Sequence, residues 1–404
     1  MAATEPRLRD AFAEEARTAR SGSARRLTLP ARGRRLRWLM PVIAASAVAV
    51  SVALTALVGR TALSGPPATG RAPAFVVATT GFGRSSAGES RVEVRDPKSG
   101  RVYDTRAASR GLAFQYVAAA ANRVFFVMAA PARRTACDTL WVYRMKVSGK
   151  GRITAFSALG ARIQGATAGR EGAPGGLAAS PDGTKVAYAV RRCGGPADRT
   201  YYKLGVADTV TGAQREWTDS RESIVSSLSW TSDARQVAFL LREPVHTPAD
   251  GPVLPSRNGV VRLLDIGSKR STDLGAAKVL LRRSRELTNI WAAVINGDGT
   301  RVAVVAEYSR AGGALAVCQV SLADGRVLRM LHREGSDNEA ISAVPGLGPG
   351  VALRSDTSGR HLLYHDASLA SAPSDLGGYG RIDDGRFHAI PVPRGAEDTY
   401  DLAW

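Results

Sequence analysis

Cysteine is scarce in this chain of 404 residues: Cys137, Cys193 and Cys318 are too few and too scattered for a CxxC zinc site or a dense disulfide framework. The five histidines, His246, His332, His361, His365 and His388, show no metal-ligand spacing. His361 and His365 would share one face of a strand, but four residues along a strand leaves a wide gap between them. No G-x-S-x-G elbow occurs, which excludes a hydrolase domain of the prolyl-peptidase type. Gly346, Gly348 and Gly350 form an isolated Gly-rich stretch with Pro349 inside it and no helix after it, so it is no phosphate cradle. Lysine is also rare, seven residues against 48 arginines, and together with abundant Ala and Gly this is the bias of a GC-rich genome. The formal charge of +19 therefore does not by itself point to nucleic acid. Ten arginines and four acidic residues fall within 1–38, and the large remainder holds no block of five like charges and no basic run interleaved with aromatics. These absences lead to the expectation of no nucleic-acid partner and no metal.

One long apolar run is present. Residues 38–59 (WLMPVIAASAVAVSVALTALVG) carry no charge over 22 residues, enough for a helix to cross the hydrocarbon core. Arg25, Arg26, Arg32, Arg34, Arg35 and Arg37 precede it, whereas only Arg60 and Arg71 follow closely. The positive-inside rule then places 1–37 as a basic cytoplasmic tail, 38–59 as a transmembrane helix in the lipid bilayer, 60–71 as a linker and 72–404 outside the plasma membrane. A cleaved signal peptide is the alternative. The 37 residues before the run are long for one, and RTALSG after it is a poor small-x-small cleavage site. Within the tail, Glu5 to Arg20 can form an amphipathic helix with Leu8 and Phe12 four apart, either a solvated stub or a docking helix for a cytoplasmic factor.

The rest of the chain repeats. Residues 177–190 (LAASPDGTKVAYAV), 228–241 (LSWTSDARQVAFLL), 293–306 (AVINGDGTRVAVVA) and 353–364 (LRSDTSGRHLLY) each read as strand, tight turn, strand, with a degenerate copy at 116–128. Pro181, Asp182 and Gly183 suit such a turn: Pro presets φ, Asp bonds its own backbone, and Gly takes a positive φ. Ala234 stands where Gly is expected, so that turn must be strained or differently built. Turn positions 120, 182, 233, 298 and 358 are spaced by 62, 51, 65 and 60 residues. A second turn follows each first one, as in DPKSG (96–100) and DTVTG (208–212), which makes the unit four-stranded. Radial repetition of four antiparallel strands predicts an all-β propeller. The final YDLAW (400–404) matches the first strand of a unit, and AFVVAT (74–79) supplies the strand that should follow. Their pairing would complete a shared blade, giving six, and would cover an open sheet edge.

The motif S-P-D-G-x-x-V-A-Y with its later D-x-x-T-G turn resembles the TolB-like and WD-repeat-like propellers of bacteria, over residues 72–404. The WD dipeptide and any repeated His are missing. The resemblance implies a membrane-anchored or periplasmic interaction module without a cofactor.

Strand order adds an expectation about faces. Connections between strands one and two, and three and four, should be short and share one face. The long segments 129–139, 160–175, 191–200, 242–258, 275–287 and 365–380 should share the other, the candidate face for a protein or cell-envelope ligand. Cys137 and Cys193 fall in second-to-third connections of adjacent units on that face, and a disulfide between them, in preference to two free thiols, would staple two loops. Cys318 sits in a third strand among Leu315, Val317 and Val320 and should be core. Trp230, Trp291 and Trp404 should pack between blades, a sugar-stacking platform being the alternative. Asp250, Glu307 and Asp366 are the candidates for acid/base chemistry. The function expected is a binding module without catalysis. The alternatives are an extracytoplasmic hydrolase or lyase acting on glycan or peptide, and a regulator docking a cytoplasmic factor through its tail.

Overall fold

A computed structural model describes residues 73–80, 90–133, 137–165, 176–194, 201–245, 254–255, 259–269, 271–312, 314–333, 351–356, 359–366, 379–383, 385–391 and 399–404. All of them lie in the second of two compact units, Ala68–Trp404. The tail, membrane segment and linker expected over 1–71 lie outside the described residues. Among the described residues no helix is long and apolar enough to cross a membrane.

The strands are β1 (Val76–Thr80), β2 (Arg91–Arg95), β3 (Val102–Ala107), β4 (Leu112–Ala120), β5 (Val124–Pro131), β6 (Asp138–Val147), β7 (Ile153–Gly165), β8 (Gly176–Ala179) and β9 (Lys185–Arg191). They continue as β10 (Tyr202–Asp208), β11 (Gln214–Thr218), β12 (Ile224–Trp230), β13 (Gln236–Arg242), β14 (Pro244–Val245), β15 (Leu254–Pro255), β16 (Val260–Asp265) and β17 (Lys278–Leu281). The last are β18 (Leu287–Ile295), β19 (Arg301–Tyr308), β20 (Ala314–Ser321), β21 (Val327–Arg333), β22 (Val351–Ser355), β23 (His361–Asp366), β24 (Tyr379–Asp383), β25 (Arg386–Ala389) and β26 (Thr399–Ala403). Hydrogen bonding gathers them into six four-stranded antiparallel sheets and one two-stranded ribbon, β14-β15. Blade 1 is β26-β1-β2-β3, blade 2 is β4 to β7, blade 3 is β8 to β11, blade 4 is β12-β13-β16-β17, blade 5 is β18 to β21 and blade 6 is β22 to β25. This is a six-bladed all-β propeller.

The ring closes where the repeat said it should. β26 pairs with β1 in the register Val77↔Ala403, Ala78↔Leu402 and Thr79↔Asp401. The strand composition follows from each blade's position between two neighbours. Second strands are covered on both faces and read as unbroken apolar runs, such as Val124 to Ala130, all buried. Outermost strands are half-wetted, and β3 (VYDTRA) is accordingly polar. Toward the axis the blades converge and the side chains shrink: Ala118, Ala178, Ala292, Ala293 and Ala403 are all buried there.

One connection departs from expectation. Residues 275–287 were expected as a long loop on the ligand face, but β17 occupies 278–281, and the long segment is 266–277, between the third and fourth strands of blade 4. It runs up the groove between blades 3 and 4, where Thr218 N–H donates to Thr272 O at 2.9 Å and Leu274 is fully buried against Trp217 and Leu264. An apolar plug holds it. Likewise β7 extends to Gly165, so the first six residues of the loop expected at 160–175 are strand, and the rest lie outside the described residues.

Candidate functional site

The first-to-second turns gather around one mouth of the ring. Ala121 N–H donates to Pro181 O at 2.9 Å between blades 2 and 3, and Ser232 N–H to Gly297 O at 2.9 Å between blades 4 and 5. Each turn is braced by its own aspartate. Asp182 accepts from Thr184 N–H at 3.0 Å, Asp233 from Arg235 N–H at 3.1 Å and Asp298 from Thr300 N–H at 2.8 Å. The hydrogen bond from the Thr300 hydroxyl, with that amide, holds the Asp298 carboxyl below the usual carboxylate range, and the Thr231 hydroxyl does the same for Asp233. These acids are turn braces. Ala234 adopts φ 54° and donates its N–H to Thr231 O at 3.0 Å, which is the strained solution expected where Gly is missing.

On the axis beneath this mouth is a cavity of about 80 Å³ to which every blade contributes, including Ala118, Ala178, Trp230, Ile295, Arg354 and Trp404. Trp230 donates its indole N–H to Ala178 O at 3.0 Å, which ties blade 4 to blade 3, and Trp404 packs with Val76, Leu363 and Leu402. Both tryptophans are inter-blade packing residues, as expected, and Trp291 is buried as well. The cavity opens on the short-turn face, opposite the one picked out by loop length.

An enzyme would be expected to converge acids or histidines here. Among the described residues the acid in the lining is Asp356, which accepts from the Arg360 and His361 amides at 3.2 and 3.3 Å, and two further groups adjoin the lining residues Arg354 and Trp404. Asp401 is 3% exposed and accepts from Val117 N–H and Leu402 N–H, each at 3.0 Å, and from the Arg354 guanidinium at 3.1 Å. His361, buried on β23, meets Asp383 through Nδ1 at 2.8 Å, and Asp383 also pairs with Arg381 at 3.3 Å. The edge-on ring of Trp404 stands beside His361, with centroids 6.2 Å apart. Asp401 and Asp383 are each shared between strands and serve as structural ties.

The remaining candidates do not meet. Glu307 accepts from the side chains of Asn289 and Thr288 on the adjacent strand, an intra-blade arrangement. His246 and Asp250 lie outside the described residues, as does the side chain of Asp366. Burial, followed by the charge of Arg354, pushes the His365 imidazole down to about 4, and burial also lowers His332, which stacks on Phe387 at 3.9 Å. His388 is exposed on β25. Among the described residues no cluster of three His, Cys, Asp or Glu side chains could hold a metal ion.

The opposite face carries the second-to-third connections. There Cys137, just before β6, and Cys193, just after β9, form a disulfide with Cα atoms 5.1 Å apart. The bond joins the rims of blades 2 and 3, where the end of β7 also meets β9: a Cβ on Gly165 would lie 2.6 Å from Val190. Cys318 is buried in the core between blades 4 and 5, and burial pushes its thiol up to about 12.

No family model matches the chain, and no curated protein matches it. Solved structures with a similar fold include TolB from Acinetobacter baumannii, 14% identical over 82% of this chain and 66% of that one, with a TM-score of 0.46. A nidogen/laminin complex is 12% identical over 81% of this chain and 97% of that one (TM-score 0.47), and Kuenenia stuttgartiensis hydrazine synthase is 15% identical over 72% and 70% (TM-score 0.39). The chain spans just under two thirds of the TolB chain. At such identities the likeness is one of fold alone, and the six-bladed architecture stands on the strand pairing itself.

Proposed function

We propose that this chain is a membrane-anchored β-propeller outside the plasma membrane that binds a protein or envelope component on its long-connection face, without catalysis. The observation that carries this reading is the Cys137–Cys193 disulfide. Such a bond persists in an oxidising compartment, which agrees with the topology read from the arginine bias around 38–59. It also stiffens two neighbouring connections on one rim, and a rim held rigid loses less freedom when a partner docks. The sealed state of Asp401 and of the His361–Asp383 pair supports the non-catalytic part of the reading.

The test is residue-specific photo-crosslinking in intact membranes, from Arg133 and Arg192 beside the disulfide and from Lys150 and Val210 on the short-turn face, all four exposed. Adducts to one defined partner should form from the first pair and not the second. Adducts only from the second pair, or a chain that carbonate extraction strips from the membrane, would refute it.

A further inference from the structure

Most grooves between blades are filled. Phe126, Met128 and Ile163 fill the one between blades 2 and 3, and Trp217, Phe239 and Leu274 the one between blades 3 and 4. The groove between blades 5 and 6 is filled only in part. Val305 and Val317 pack there with Leu362 and Ile382, and Leu331, Leu362 and Ile382 are also among the apolar residues lining what is left open. Toward the short-turn face it opens into a polar cavity of about 450 Å³, within the range of roughly 300–1,000 Å³ usual for small-ligand sites.

The wall from blade 5 is a row of three polar side chains on three adjacent strands. Gln319 on β20 is paired with Arg329 on β21 and with Ala303 on β19, and Arg301 stands two residues before Ala303 on the same face. Arg301 and Arg329 therefore flank Gln319, the first diagonally and the second directly opposite. Arg329 reaches across the groove: a Cβ built on Gly385 of blade 6 would sit 2.5 Å from its Cζ. Neither Arg301 nor Arg329 makes an ion pair with a carboxylate among the described residues. Asp298, which also lines the cavity, turns one oxygen to the amide and hydroxyl of Thr300, and the charge of Arg301 helps to hold its carboxyl below the usual range. The lining thus holds three guanidiniums, of Arg301, Arg329 and Arg360, against the one carboxylate of Asp298, and a cleft with such an excess of positive charge concentrates anions. The planar guanidinium forks match the oxygens of a carboxylate or phosphate, and Gln319 can donate a further hydrogen bond between them.

We propose that the cleft between blades 5 and 6 is a binding site for a small oxyanion ligand, a phosphate- or carboxylate-bearing molecule held by Arg301, Gln319 and Arg329. The site is separate from the long-connection face, so the two readings stand or fall independently.

The test uses the full chain in a non-ionic detergent, titrated calorimetrically at constant ionic strength with inorganic phosphate in one arm and tricarballylate in the other. Saturable binding in the phosphate arm alone identifies a phosphate site, and in the tricarballylate arm alone a carboxylate site. Arg301→Gln and Arg329→Gln should each weaken it about tenfold, the scale of one hydrogen bond to a charged group, whereas Arg110→Gln, an exposed arginine elsewhere, should leave it unchanged. Gln319→Glu, nearly the same size, should abolish binding by placing a carboxylate between the guanidiniums, with an unchanged thermal transition showing that the fold is intact. No saturable binding in either arm overturns the proposal. So does binding that survives Gln319→Glu or falls equally in Arg110→Gln, an adventitious ion only.

Discussion

Arg354 of blade 6 holds Asp401 of the closing strand through contacts of 3.1 and 3.2 Å to its two carboxylate oxygens. Asp401 also takes the amide of Val117 in blade 2, so one carboxylate ties the closing blade to both of its neighbours. Burial lifts the Asp401 carboxyl above its ordinary value, with Arg354 and the amides pulling against it. Removing the guanidinium would leave a buried carboxylate that must protonate or stay uncompensated. Arg354→Ala is therefore expected to cost about 3 kcal/mol in denaturant unfolding, near the lower end for breaking a buried pair. Arg354→Ala combined with Asp401→Asn should cost less than Arg354→Ala alone. A double variant that is worse than both singles together would show that the two residues do not act as a pair.

His365 gives the fold a pH dependence with a defined window. Burial and then Arg354 hold its folded-state value at about 4, against an ordinary 6.5 when unfolded. Between these limits the unfolded chain binds a proton that the folded chain refuses, so stability is full above about 6.5 and falls as the pH drops toward 4. The loss should reach about 3 kcal/mol at the lower limit. The braced aspartates, whose values are lowered, lose their contribution only as the pH falls through those lower values, so the two effects separate. Unfolding free energies at several pH values should show this slope in the natural chain and a clearly shallower one in His365→Gln, where the buried His332 still contributes. An equal slope in both would assign it elsewhere.

Reading these residues from sequence succeeded where the chemistry is local. Asp182, Asp233 and Asp298 brace turns within two residues of themselves, so their pattern along the chain states the fold, and the matching of YDLAW to the strand before each turn states the closure. The Arg354–Asp401 tie was invisible because it spans 47 residues and the Val117 contact 284. Likewise, strand alternation separates Arg301 from Val302, but only the ring decides that the Arg301 face opens onto blade 6. The excursion at 266–277 had a faint signal in Leu274, a lone apolar residue behind Asp273, whose side chain accepts from Gly275 N–H at 2.9 Å.

Tyr188 lies across Gly205 on the neighbouring strand, and a Cβ there would come within 2.1 Å of its ring. The phenol hydroxyl donates to Glu216 at 2.8 Å, which also pairs with Lys203 at 2.7 Å, so the ring cannot swing away without breaking a half-buried network. Gly205→Ala should therefore destabilise blade 3 by about 1–3 kcal/mol, the usual range for overpacking. Tyr188→Ala in the same chain should make Gly205→Ala nearly silent. Additive losses in the double-mutant cycle would mean that the glycine is needed for its backbone and not for the ring.

The disulfide links residues 56 apart, and chain-entropy reasoning values such a constraint at about 4 kcal/mol at most, less any strain. Reductant should accordingly lower the melting temperature of the natural chain, and Cys137→Ser combined with Cys193→Ser should match the reduced protein and no longer respond to reductant. Thiol counting sharpens the point. Cys318 is buried with its thiol pushed up to about 12, so the folded, unreduced chain from membranes should show no reactive thiol, one after denaturation and three after reduction. Three thiols in the denatured, unreduced sample would mean that the chain matured in a reducing compartment. The topology drawn from the arginine bias would then be inverted, and the proposed binding rim would have no covalent staple to hold it.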